Sequence, residues 1–98
     1  MAVRPQRQDA GQARRSRIVL IALKARARIP EHHTEAQISI QAVVGHILVR
    51  AHGRSFDLRT GGLLALDQGV PHDVEAVEES AFLLTIARPG VPREGSAR

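Results

Sequence analysis

Between residues 17 and 87 the chain never sustains an apolar stripe of helical period. Short runs in which apolar and polar residues alternate are cut by turn residues roughly every eight to twelve positions, the spacing of a β-sandwich or small barrel. Candidate strands are 17–23, 36–44, 46–51, 55–58, 63–66, 72–76 and 81–87, punctuated by Pro30, Gly45, His52-Gly53, Thr60-Gly61-Gly62, Gln68-Gly69 and Glu78-Glu79. Side chains of a strand alternate between faces, so Ile38, Ile40, Ala42 and Val44 form an inward series, with Ser39 and Gln41 outward. After Gly45 the inward series is Ile47, Val49 and Ala51, continued by Phe56 and Leu58. His46, Arg50 and His52 then point to solvent, and Leu48 is an outward apolar residue for a partner to cover. The class is all-β.

A chain of 98 residues is one domain with a thin core. Residues 1–16 and 89–98 lack apolar periodicity and read as a disordered basic leader and a flexible tail around a barrel over 17–88. With no cysteine, neither a disulfide nor a thiolate metal site can supplement that core, which makes a homodimer the default expectation. The longest apolar run, 18–23, is too short to span a bilayer, and a cytoplasmic protein is the plain reading. The net charge of +4 lies in the leader, in Arg4, Arg7, Arg14, Arg15 and Arg17 against Asp9. Phe56 and Phe82 are the only aromatics among Phe, Trp and Tyr, so base stacking has no platform, and a solvated leader explains the arginines better than nucleic acid does.

The segment Gly61-Gly62-Leu63-Leu64-Ala65-Leu66-Asp67-Gln68-Gly69-Val70-Pro71-His72 resembles the second conserved motif of the cupin superfamily. Gly61, Gly69 and His72 fall on its glycine and histidine positions, Asp67 stands where proline is usual, and Ala76 where asparagine is. The first cupin motif maps onto 26–45. Counting back from Gly45 puts its carboxylate on Ile38 and its two histidines on Thr34 and His32. Counting forward from Arg26, where glycine is usual, also reaches His32. The resemblance implies a cupin jelly-roll antiparallel β-barrel over about residues 18–87, with His32 and His72 kept of four usual metal ligands.

Two imidazoles suit zinc, iron, manganese, nickel or copper, but catalytic sites normally hold a metal with three protein ligands. An alternative spacing places Glu31 and His33 on ligand positions beside His72, giving a facial triad, and abandons His32. Adjacent His32 and His33 cannot both face inward in a regular strand. The resemblance thus leaves open whether a divalent transition metal is bound.

The expected pocket is an apolar mouth lined by Thr34, Ile38, Ile40, Ala42, Ile47, Val49 and Phe56, receiving a small molecule near His32 and His72. Three functions follow: a small-molecule binding or sensing module; a metal-dependent enzyme (dioxygenase, isomerase or decarboxylase), against which Ile38 counts; and a non-catalytic dimeric scaffold. The cluster Asp73, Glu75, Glu78 and Glu79 reads as a solvated sheet edge. No nucleophile elbow or phosphate-cradling loop is present, and the serines have no base-and-acid context.

Overall fold

The computed structural model describes residues 15–88, and the expectations for both tails lie largely outside them. Eight strands run in chain order: β1 (Arg15–Leu23), β2 (Arg28–His32), β3 (Gln37–Val44), β4 (His46–Ala51), β5 (Arg54–Arg59), β6 (Leu63–Leu66), β7 (His72–Ala76) and β8 (Ser80–Arg88). They form two antiparallel four-stranded sheets, ordered β1-β8-β3-β6 and β2-β7-β4-β5. Successive strands alternate between the sheets except at the β4–β5 hairpin. This is the eight-stranded jelly roll, in which the two sheets close over one core.

The alternation read in the sequence builds that core. Ile38, Ile40, Ala42 and Phe82 come from the first sheet, and Ile47, Val49, Ala51, Leu58, Val74 and Ala76 from the second, all buried. Each fully buried aliphatic or aromatic side chain contributes about 1.5–3 kcal/mol relative to exposure, so these residues dominate the fold's stability. Val44 departs from the expected series. The β3–β8 register shifts between Ala42 and Val44, and this irregularity turns Val44 outward, where it is exposed.

One strand, β2, was not expected, because Pro30 reads as a breaker. Proline lacks the N–H of a sheet ladder and is confined to edges and bulges. Here β2 is the edge of its sheet and pairs only with β7, and Pro30 falls in an irregular step of that pairing.

Backbone conformation accounts for the turn residues. Gly45, Gly61 and Gly69 have φ of 93°, 90° and 82°, and Arg26 shares the region with φ 72°. Glycine enters this left-handed region without steric cost, whereas an L side chain costs about 1–2 kcal/mol there. Space also matters at Gly45, where an added Cβ would lie 2.5 Å from the Glu79 carbonyl oxygen and 2.8 Å from Ser80 Cα. The crowding arises because the β3–β4 turn is latched to the β7–β8 turn. The buried Ser80 hydroxyl accepts from the His46 amide at 2.9 Å and lies 2.6 Å from the Glu78 carbonyl to which it donates.

Two substitutions should therefore act in opposite directions in urea denaturation. Gly45→Ala should lose more than about 2 kcal/mol through strain and clash, while Arg26→Gly should gain about 0.5–1 kcal/mol as the left-handed strain is relieved. A neutral Gly45→Ala would contradict the latch.

Candidate functional site

The ends of β2 and β7 bring His32 and His72 together at one end of the barrel. Arg28 pairs with Glu75 and Ile29 with Val74; continued in step, Glu31 would meet His72. The register instead shifts by one residue on β2, and His32 stands opposite His72. A bulge of this kind re-aims side chains, and here it sets His32 beside His72 and leaves Glu31 and His33 exposed. The two rings lie 4.4 Å apart between centroids, with their planes inclined at 59°.

Both rings are oriented in the same way. Nδ1 of His32 donates to the Pro30 carbonyl and Nδ1 of His72 to the Val70 carbonyl, each at 3.0 Å and each two residues back. A carbonyl oxygen only accepts, so Nδ1 carries the proton, and Nε2 of the neutral ring keeps its lone pair on the opposite edge. His72 is 4 % exposed, and its Nε2 makes no hydrogen bond to another described residue. A buried acceptor without a partner costs free energy unless something fills it.

Thr34, at the second histidine position of the resemblance, is used by the local turn. Its hydroxyl accepts from the Ala36 amide at 3.2 Å, and its carbonyl accepts from Gly69 at 2.8 Å, which ties the β2–β3 loop to the β6–β7 loop. Ile38, at the carboxylate position, is buried opposite Leu66 and Ile86. Among the described residues no group of three or more His, Asp or Glu side chains is placed to hold a metal ion.

The imidazole pair alone is compatible with one ion. His32 and His72 would each offer one imidazole nitrogen to it. The donor set is nevertheless short by a carboxylate and a third protein ligand, and does not fit a metal held by this chain alone.

The rest of the expected pocket lies deeper. Ile40, Ala42, Ile47 and Val49 have essentially no solvent-reaching surface and form solid core in place of a cavity wall, while Thr34 and Phe56 are half-buried. The Val70 and Pro30 carbonyls, which fix the ring tautomers, were not read from the sequence; their signal is the repeated two-residue spacing before each histidine.

Away from this end, other polar groups have structural partners. On the outer face of the second sheet, Arg50 pairs with Asp73 at 3.0 Å and Glu75 at 2.8 Å, and Arg28 reaches Asp73 at 3.6 Å. Glu75 first, then Asp73, raise the Arg50 pKa above its already high ordinary value. Since β7 is flanked by β2 and β4, Asp73 and Glu75 belong to a paired face and not to an edge. His46 is half-buried and contacts the Asp57 carboxylate, contrary to the solvent-facing expectation. An open groove at the opposite end of the barrel runs past Leu23, Lys24, Val44 and Glu79, but the Ser80 hydroxyl beneath it is already engaged in the turn.

Strand order and closure over one core define a small single-barrel cupin fold, and solved structures bear the fold out. A conserved protein of unknown function from Streptococcus pyogenes superposes with a TM-score of 0.74 at 22 % identity over 88 % of this chain and 70 % of that one. A cupin superfamily protein from Desulfitobacterium hafniense gives a TM-score of 0.74 at 14 % identity, covering 81 % of this chain and 72 % of that one. Salicylate 1,2-dioxygenase from Pseudoaminobacter salicylatoxidans gives 0.70 at 17 % identity over 72 % of this chain but only 20 % of its own. No protein-family model and no curated protein matches the sequence. Among the described residues no helix is long and apolar enough to cross a membrane.

The two histidines should differ in their structural weight. His72→Ala removes a buried ring and its bond to Val70, and should cost about 1–3 kcal/mol with the barrel still folded; the exposed His32→Ala should cost under about 1 kcal/mol. Chemical denaturation of both variants checks this, and equal costs would contradict the asymmetry of burial.

Proposed function

We propose that this chain is a small-molecule-binding cupin that takes a weak organic acid, a carboxylic acid or phenol with an apolar body, at the His32–His72 end of the barrel. The observation that carries the reading is the pair of rings whose Nδ1 protons are tied to backbone carbonyls. The free edge of each ring is left to a ligand. A hydroxyl proton from the acid is accepted by His72 Nε2, and transfer of that proton yields a charge-assisted pair within an apolar surround. Val70, half-buried two residues before His72, would face the ligand's apolar part. Cupin-fold neighbours whose names carry small acids, the salicylate dioxygenase and a predicted oxalate decarboxylase from Thermotoga maritima, are in keeping with this class.

A second reading, a metal-dependent cupin enzyme, rests on one observation: the His32 and His72 rings lie 4.4 Å apart and each keeps Nε2 free of its backbone tie. His32 and His72 would hold the ion and the small acid would have to complete its shell, since Ile38 offers no donor. When bound, such an ion polarises an oxygen ligand as a Lewis acid. The scaffold reading predicts no ligand at all.

Thermal-shift screening against small carboxylic acids and phenols, with and without Zn²⁺, separates these readings. The binding reading predicts a ligand that stabilises the wild type by about 2.7 kcal/mol at a hundredfold excess over Kd, with the effect lost in His72→Ala. Stabilisation that appears only when acid and Zn²⁺ are both present favours the metal reading. A ligand effect unchanged in both histidine variants, or none across the panel, overturns the site.

A further inference from the structure

Ladder partners line up one row across the second sheet at the histidine end of the barrel: His32 with His72, His72 with Ala51, and Ala51 with Arg54. The last step is set by the β4–β5 hairpin. His52 and Gly53 have φ of 57° and 71°, and two successive residues in the left-handed region make the two-residue turn that suits the twist of a hairpin. Ala51 and Arg54 therefore close the hairpin as a pair, and Arg54 takes the same parity on β5 as Phe56 and Leu58, the inward one. Deeper in the barrel a charge on that parity would be costly. Arg54 stays exposed because its row lies at the mouth. Its guanidinium carbon sits over the half-buried Phe56 ring, 5.2 Å from the ring centre. Arg28 and Arg50 are tied to Asp73 and Glu75 on the outer face, whereas Arg54 has no carboxylate partner among the described residues.

We propose that Arg54 is the anion-binding residue of the His32–His72 site, and that the ligand is a hydroxy acid whose carboxylate and hydroxyl lie at opposite ends of a small apolar body. The inference rests on the binding reading above and narrows its ligand class. His72 is buried and its Nε2 has no partner among the described residues. That lone pair accepts a hydrogen bond from a hydroxyl but repels an ionised carboxylate, so the acid's charge needs a cation elsewhere in the mouth. Arg54 supplies it. Its planar fork bonds both oxygens of a carboxylate, and contact with the Phe56 ring restrains the group while leaving its N–H donors unspent. Ala51, between the two, contributes only a methyl group to the row. The Cα atoms of His72 and Arg54 are two strand spacings apart, about 10 Å, and side chains stand roughly perpendicular to a sheet. Hydrogen bonds of about 2.8 Å at either end leave roughly 4 Å between the ligand's polar groups. That is the span of a ring and not of neighbouring atoms.

Isothermal titration calorimetry of the full chain with para-hydroxybenzoate, its neutral isostere para-hydroxybenzamide and ortho-hydroxybenzoate tests the proposal. The wild type is expected to bind the para acid at least about tenfold more tightly than the amide, and more tightly than the ortho acid. Arg54→Gln should abolish the preference for the acid while leaving the amide's Kd within about twofold, and Arg54→Lys should keep only part of it, since a lysine lacks the fork. Arg59→Gln removes the same charge from the far end of β5, where Arg59 pairs with His46, and should change nothing. His72→Ala should weaken acid and amide alike. An acid preference that survives Arg54→Gln, with binding still lost in His72→Ala, overturns the role of Arg54 and leaves the binding reading standing. An equal loss in Arg59→Gln would mean general attraction to a basic chain and would overturn it too. Tighter binding of the ortho acid overturns the ligand class. Binding indifferent to His72→Ala, or none across the three compounds, overturns the reading and the inference together.

Discussion

Phe82 and Ile40 from one sheet meet Ile47 and Val49 from the other in an interior with almost no solvent-reaching surface. The other features of the molecule are hung on that contact. Neither sheet could bury its apolar side alone, and a barrel this small has few other large side chains with which to do so. Because the interior is filled by side chains, any ligand is kept to the end of the barrel and out of its centre. This is why the candidate site is made by the strand ends and the loops between them, and why it is small.

The histidine pair depends on a local departure from that regular scaffold. A strand in step with β7 would set Glu31, not His32, opposite His72; the extra residue beside Pro30 exchanges them. Proline tolerates this because β2 is an edge, so a single residue type both interrupts the ladder and marks where the site is built. The resulting rings are held by the backbone, through carbonyls two residues back, and not by carboxylate side chains. Such orientation fixes the tautomer before a ligand arrives.

Much of this was legible in the sequence, and the failures have physical causes. Strands with clean alternation, β3, β4 and β7, were read nearly to their ends because period-two burial leaves a direct trace, and β6 because Gly62 and Asp67 bound a short apolar run. The strand β2 was not, since a proline inside an edge strand looks the same as a proline in a loop. Val44 was assigned inward because a bulge cannot be seen in an alternating pattern. His32 was picked out by two spacing counts from glycine positions, and the structure gives those positions a shared conformation: Arg26, where glycine is usual, takes the same left-handed φ as Gly45, Gly61 and Gly69. Residue types alone could not distinguish a cavity wall from a packed core, which is why Ile40, Ala42, Ile47 and Val49 were expected to line space that the structure fills.

Orientation of both rings by backbone carbonyls leaves Nε2 of each as the open acceptor edge. The most direct measurement is the tautomeric state of His32 and His72 by two-bond ¹H–¹⁵N correlation of ¹⁵N-labelled protein, at a pH where both rings are neutral. A protonated Nδ1 and an unprotonated Nε2 are expected in both. A proton on Nε2 of either ring would contradict this orientation, because the carbonyl bond that orients that ring would then be absent and its outward edge would be a donor instead of an acceptor.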